Sequence, residues 1–156
     1  MTATSGTDGS DFPTEGVEMT LQLVVGNLER SRAYYRDVLG ATETQAYGGD
    51  SVVLDFQGTS LFLVTGGGPT PDKPDVTFRP PADIERVSLR LTIRVSDCHR
   101  AYKVLTSRGA AFLTPPVEYD SEVRAFFRDP DDHLLEISES KRVVSDRPGN
   151  PTRNNR

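Results

Sequence analysis

The sequence predicts an α+β fold made of two pseudo-symmetric βαβββ modules that share a curved sheet. Three observations predict it. The chain says nearly the same thing twice: residues 19–40 read MTLQLVVGNLERSRAYYRDVLG and residues 88–109 read SLRLTIRVSDCHRAYKVLTSRG. The landmarks keep nearly one spacing, with Asn27 and Asp97 70 residues apart and Gly40 and Gly109 69 apart. Each copy is followed by short alternating runs separated by turn residues, which is the signature of a strand meander. A repeat of this length implies two copies of one supersecondary unit, and places the candidate site where the copies meet.

The elements follow in order. Residues 18–25 alternate as a strand, with Met19, Leu21, Leu23 and Val25 on one face and Thr20, Gln22 and Val24 on the other. Asn27 is an N-cap, and a helix from Arg30 to Leu39 carries Leu28, Ala33, Tyr34 and Val38 near one stripe, closed by Gly40. Strands at 42–47, 50–57 and 59–65 are separated by Gly48-Gly49-Asp50 and Gln57-Gly58. A stretch rich in Gly, Pro and Asp, about 67–86, links the modules, which span about 17–66 and 87–140. The second module repeats the order: a strand at 87–95, the cap Asp97, a helix at 98–107 carrying Ala101, Tyr102, Val104 and Leu105, and Gly109. Strands near 111–114, 121–128 and 133–138 follow, the last two joined at Asp129-Pro130-Asp131-Asp132. Residues 1–16 and 141–156 read as polar tails, the first disordered.

Composition narrows the function classes. The net charge of −5 comes without a basic block, so no nucleic-acid partner is expected. A single cysteine, Cys98, permits no intramolecular disulfide and fits a reducing cytoplasm; without a nearby base it reads as a packing thiol. The N-terminal stretch has neither a cationic start nor an apolar core, so it does not read as a signal peptide. No apolar run approaches the ~18 residues of a membrane span. Neither a Ser-His-Asp set nor a phosphate loop is present.

LERSRAYYRDVLG (28–40) and RAFFRDPDDHLLEISE (124–139) resemble the vicinal oxygen chelate superfamily, which includes glyoxalase I, extradiol dioxygenases, fosfomycin-resistance and bleomycin-binding proteins. The resemblance implies that the sheet half-closes around a cleft, and that the protein is a homodimer. It also implies where a divalent metal would be held. The four family positions correspond here to Thr20, Phe62, Arg90 and Glu136. Only Glu136 is a ligand type, since an arginine has no lone pair to give and one carboxylate does not make a transition-metal site. Gln22 and His133 are the remaining alternatives; His133 otherwise reads as a histidine packing the turn, and His99 is given no role. No metal and no cofactor is therefore expected.

A lone carboxylate in a cleft is costly unless neutralised, and Arg90 stands where the metal's histidine would be. The expected arrangement is an Arg90–Glu136 bridge, either structural or also meeting an anionic or enolic ligand oxygen. By alternation the cleft face carries Thr20, Gln22, Phe62, Arg90, Thr92, Arg94, Arg124, Phe126, Glu136 and Ser138. Aromatic faces between arginines suit a planar, polycyclic or enolic small molecule. The competing reading makes Arg94, Arg124 and Arg128 solvated strand residues paired with Glu122. Two functions from different classes follow. One is a binder that sequesters a drug-like molecule, with 66–86 as a flap. The other is a metal-free isomerase, cyclase or lyase with Glu136 as base and Arg90 as oxyanion partner. A metal-dependent glyoxalase or dioxygenase is disfavoured by the substitutions.

Overall fold

A computed structural model describes residues 15–141. The two expected polar tails lie, but for residues 15, 16 and 141, outside the described residues. The first module contains β1 (Thr20–Val25), α1 (Leu28–Asp37), β2 (Thr42–Tyr47), β3 (Ser51–Phe56) and β4 (Thr59–Thr65). The second contains β5 (Leu91–Arg94), α2 (Cys98–Ser107), β6 (Ala111–Phe112), β7 (Val117–Glu118), β8 (Glu122–Arg128) and β9 (Leu134–Ser140). Their sheets have the orders β1-β4-β3-β2 and β5-β9-β8-β6, with β7 also on β8. Each first strand runs parallel to the last strand of its own module, and all other pairs are antiparallel. Neither sheet closes on itself, which gives the curved, half-open α+β architecture.

Local sequence explains why the helices begin and end where they do. The Asn27 side chain accepts from Arg30 N, and the Asp97 side chain accepts from Arg100 N, each satisfying an amide that the first turn leaves orphaned. Gly40 and Gly109 leave the helices at φ +78° and +100°, a region that a side chain would resist. Alternation then sorts the sheets. Leu23, Val25, Val52, Leu54, Leu61 and Leu63 are buried on the side of α1, and Val123, Ala125, Phe127, Leu135 and Ile137 on the side of α2. Cys98 sits in this core at the start of α2. Burial there pushes its thiol up to about 11, so it behaves as a packing group.

Four local expectations are corrected. The α1 helix runs two residues earlier than expected, and its buried stripe is Leu28, Ser31, Tyr35 and Val38; Tyr35, not Tyr34, is the fully buried tyrosine. Met19 precedes β1 and is 93% exposed. The strand expected at 87–95 is paired only from Leu91, because its parallel partner β9 begins at Leu134 and the chain before it turns away as the hairpin. The strand expected at 111–114 is shorter, Ala111–Phe112, and a separate piece, Val117–Glu118, pairs with β8 beyond Pro115 and Pro116, which supply no amide to continue the ladder.

The two modules are held together by the β8–β9 turn seated on α1. Asp131 Oδ1 accepts from Gly26 N at 2.8 Å and Arg30 Nη2 at 3.0 Å, and its Oδ2 from Ser31 Oγ at 2.9 Å. Asp129 Oδ2 accepts from the Tyr35 hydroxyl at 2.7 Å, while its Oδ1 takes the amides of Asp131 and His133, each at 2.9 Å. His133 Nε2–H donates to the Val24 carbonyl at 2.8 Å, the turn-packing role that its position suggests. The Asp131, Asp129 and His133 side chains of this turn thus each meet the end of β1 or the buried side of α1.

Candidate functional site

The faces turned away from the helices carry the ten expected residues, and the strand registers decide which stand together. On the first sheet, β1 and β4 set Thr20 beside Ser60 and Gln22 beside Phe62, and β3 sets Val53 on the other side of Phe62. Tyr47 packs edge-on against Phe62, with centroids 6.1 Å apart. On the second sheet, β5, β9 and β8 line up Thr92, Glu136 and Phe126 in one row, and Arg94, Ser138 and Arg124 in the next. Arg90 precedes the first row on the same face.

Glu136 is 2% exposed on this face, and Ser138 in the next row is fully buried. Arg90 Nε donates to its Oε2 at 2.8 Å, and Thr92 Oγ1 donates to the same oxygen at 2.9 Å. The bridge expected between Arg90 and Glu136 is therefore present, through a single guanidinium nitrogen rather than a bidentate fork. The next row forms a second network. Ser138 Oγ accepts from Arg94 Nη1 at 2.8 Å and donates to Glu122 Oε2 at 2.9 Å, while Arg124 Nη1 donates to Glu122 Oε1 at 3.1 Å. Arg124 also lies over two rings, 4.6 Å from the Tyr119 centroid and 5.5 Å from that of Phe126. Its Nε is buried without a hydrogen-bond partner, the one such side-chain atom among the described residues.

The structure divides the ten expected residues into two groups. Thr20, Gln22 and Phe62 stand on the first sheet; the other seven stand on the second, where they are knit together. The cavities near the junction, of 420 and 360 Å³, share Leu39, Phe56 and Ile93; the second is also lined by Arg90, Thr92 and Arg94, and neither is lined by Thr20, Gln22, Phe62, Arg124, Phe126, Glu136 or Ser138. A third, of 280 Å³, lies where residues 81–91 pass His133 and Leu134; there Arg128 Nη2 ties the linker by donating to the Ile84 carbonyl. The pairing of Arg94 and Arg124 with Glu122 that the sequence raised as the plainer alternative is observed. Sequence reasoning missed Tyr47 and Tyr119. Tyr47 was recoverable from alternation in 42–47, whereas Tyr119 follows a two-residue strand that leaves no periodic signal.

A divalent metal does not fit this donor set. Arg90 occupies the carboxylate that a metal would need, and Phe62 has no donor atom. Thr20 offers only a hydroxyl, 3.5 Å from Ser60 Oγ, and His133 spends Nε2 on Val24. Gln22 is exposed on the other sheet. Among the described residues no group of three or more His, Cys, Asp and Glu is arranged to hold a metal.

The paired βαβββ architecture, with this hairpin seated on the first helix, defines the class of protein. The chain belongs to the glyoxalase/bleomycin resistance protein/dioxygenase superfamily, whose pattern it matches over residues 19–137. Among solved structures it is similar to a glyoxalase/bleomycin resistance protein/dioxygenase from Nocardioides (22% identity, 92% of this chain and 95% of that one, TM-score 0.65). It is also similar to TioX from Micromonospora sp. ML1 (20% identity, 80% and 99%, TM-score 0.61) and to the fosfomycin resistance protein FosX from Listeria monocytogenes (13% identity, 80% and 93%, TM-score 0.60). At these identities the likeness is one of fold. No curated protein is similar enough to the chain to be matched.

Proposed function

We propose that the protein binds a small planar organic molecule on the open face of its sheets without a metal, and acts by sequestering it. The observation that carries this reading is the Arg90–Glu136–Thr92 cluster: a guanidinium and a hydroxyl both donate to the buried carboxylate, and the resemblance assigns the Arg90 and Glu136 positions to metal ligands. The cation that neutralises Glu136 is then part of the chain. Phe62 and Tyr47 on one sheet, and Phe126 and Tyr119 on the other, supply flat apolar surface beside polar groups that can orient a ligand.

The test is the metal content of the purified, untagged protein after dialysis against trace Fe, Mn, Ni and Zn, read by elemental mass spectrometry. The expected content is below about a tenth of an equivalent, since a catalytic site needs about three protein ligands. Near one equivalent, lost in Glu136→Gln, would overturn the reading.

The ligand is enclosed between two copies of the chain. Both faces are open in one chain, and Met19 and Leu89, which hold equivalent places in the two modules, are 93% and 59% exposed. Large apolar side chains displayed beside an open sheet face suit association. Sedimentation is expected to give the mass of a dimer, and a monomer at micromolar concentration would remove this part of the proposal.

Metal-free enolisation with Glu136 as base is the second reading. It draws on one observation: both donors to Glu136 fall on Oε2, so a base would act through Oε1.

A further inference from the structure

The two sheet faces differ sharply in charge. Along the first, the rows Thr20–Ser60–Asp55, Gln22–Phe62–Val53 and Val24–Val64–Ser51 hold a single charged group, Asp55, at the β3–β4 turn. Along the second stand Arg90, Arg94, Arg124 and Arg128 against Glu122 and Glu136. That face therefore carries two positive charges in excess within a chain of net charge −5. Arg128 is committed to the Asp132 and Ile84 carbonyls. The surplus that a ligand can reach is then one positive charge, shared among the other three arginines against Glu122 and Glu136.

How those three are held matters. Arg90 and Arg94 each hydrogen-bond through one nitrogen, Nε and Nη1 respectively, and their side chains are 55% and 67% exposed. They are two residues apart on one strand face, hence about 6.7 Å from each other along it. Arg124 is fixed differently. It is stacked on Tyr119 and Phe126 and tied to Glu122, so it forms with those rings a flat platform beside the two more exposed guanidinium groups.

We propose, resting on the reading of this face as the ligand site, that the protein selects conjugated organic acids. Arg90 and Arg94 take the carboxylate, the planar body lies on Phe126 and the Arg124–Tyr119 stack, and the nearly uncharged face of Thr20, Gln22 and Phe62 receives the neutral end. A neutral planar ligand would leave the surplus guanidinium charge desolvated and unpaired on closure, which disfavours it. A polyphosphate asks for more free cations than this face holds, because Glu122 and Glu136 already occupy part of each arginine.

The experiment compares 9-anthracenecarboxylate and 2-naphthoate with their primary amides. Ligand fluorescence reports binding against a chain that contains no Trp. The carboxylates are expected to bind at least about tenfold more tightly than the amides, as a charge-assisted contact requires. Arg94→Gln and Arg90→Gln are each expected to remove most of that preference. Circular dichroism checks that each variant is folded. Equal affinity of acid and amide would overturn the selection for acids and leave the ligand face standing. A preference for acids that survives in both variants would overturn the assignment of the carboxylate to this strand. No binding by either carboxylate up to about 1 mM would overturn the ligand face together with the inference.

Discussion

Asp131→Ala is expected to lower the unfolding free energy by about 3 kcal/mol. The Asp131 side chain is 4% exposed and accepts from three donors that belong to the other module. Truncation leaves Ser31 Oγ, fully buried, and the Gly26 amide without acceptors. Arg30, with a side chain 52% exposed, turns to water instead, so no charge is stranded and the loss stays at the lower end of the range for a broken buried pair. Arg30→Ala should for that reason cost less than about 1 kcal/mol. Gly26→Ala probes the same contact from the other side, since a Cβ there would sit 3.1 Å from Asp131 Oδ1. Urea unfolding measures all three. A loss below about 1 kcal/mol in Asp131→Ala would show that the turn does not hold the modules together.

The same lock fixes a pH dependence. Burial raises the pKa of the Asp129 carboxyl, against the opposing pull of the Tyr35 hydroxyl and the backbone amides. The folded state then holds this proton more tightly than the unfolded state. The contribution to stability is fully present below the ordinary aspartate value of about 3.9 and is lost as the pH rises through the raised folded value. Measured against Asp129→Asn, which has no such proton to lose, the native protein should lose stability as the pH climbs through that window. The opposite slope would mean that the donors around Asp129 outweigh its burial.

What the sequence made legible is what repeats. The caps Asn27 and Asp97, the terminal Gly40 and Gly109, and the alternation along β1, β8 and β9 are local chemistry, and each was readable from residue type and spacing. The chain fails to announce what depends on a distant partner. Val87-Ser88-Leu89-Arg90 alternates as well as any strand, yet its pairing ends because β9 starts at Leu134, over forty residues away. Tyr34 and Tyr35 are adjacent and chemically alike; a rotation of one position along α1 decides which of them meets Asp129. The Arg90–Glu136 contact was legible because both positions could be counted from fixed landmarks. The Arg124–Tyr119 stack was not, because it depends on how the loop before β8 folds back.

Glu136→Leu is expected to leave the fold as stable as the native protein or to stabilise it by about 1–2 kcal/mol, whereas Arg90→Ala should destabilise it by about 2 kcal/mol. The asymmetry follows from burial. Glu136 is nearly fully buried, and its charge is met by one guanidinium nitrogen and one hydroxyl, which is thin compensation for its desolvation. An apolar side chain of similar volume removes that cost and packs beside Phe126 in the neighbouring strand. Removing Arg90 instead leaves the carboxylate buried with Thr92 as its remaining donor. Because the Arg90 side chain is 55% exposed, water recovers part of the loss, so the figure falls below the full cost of breaking a buried pair. Paired thermal and urea unfolding of the two variants and their double mutant decides the matter. If Glu136→Leu loses more than Arg90→Ala, the pair is a structural bridge that the fold needs. If Glu136→Leu is neutral or stabilising and weakens carboxylate binding, the fold tolerates a buried acid for a reason other than stability, as expected of a group that orients the arginine meeting a ligand.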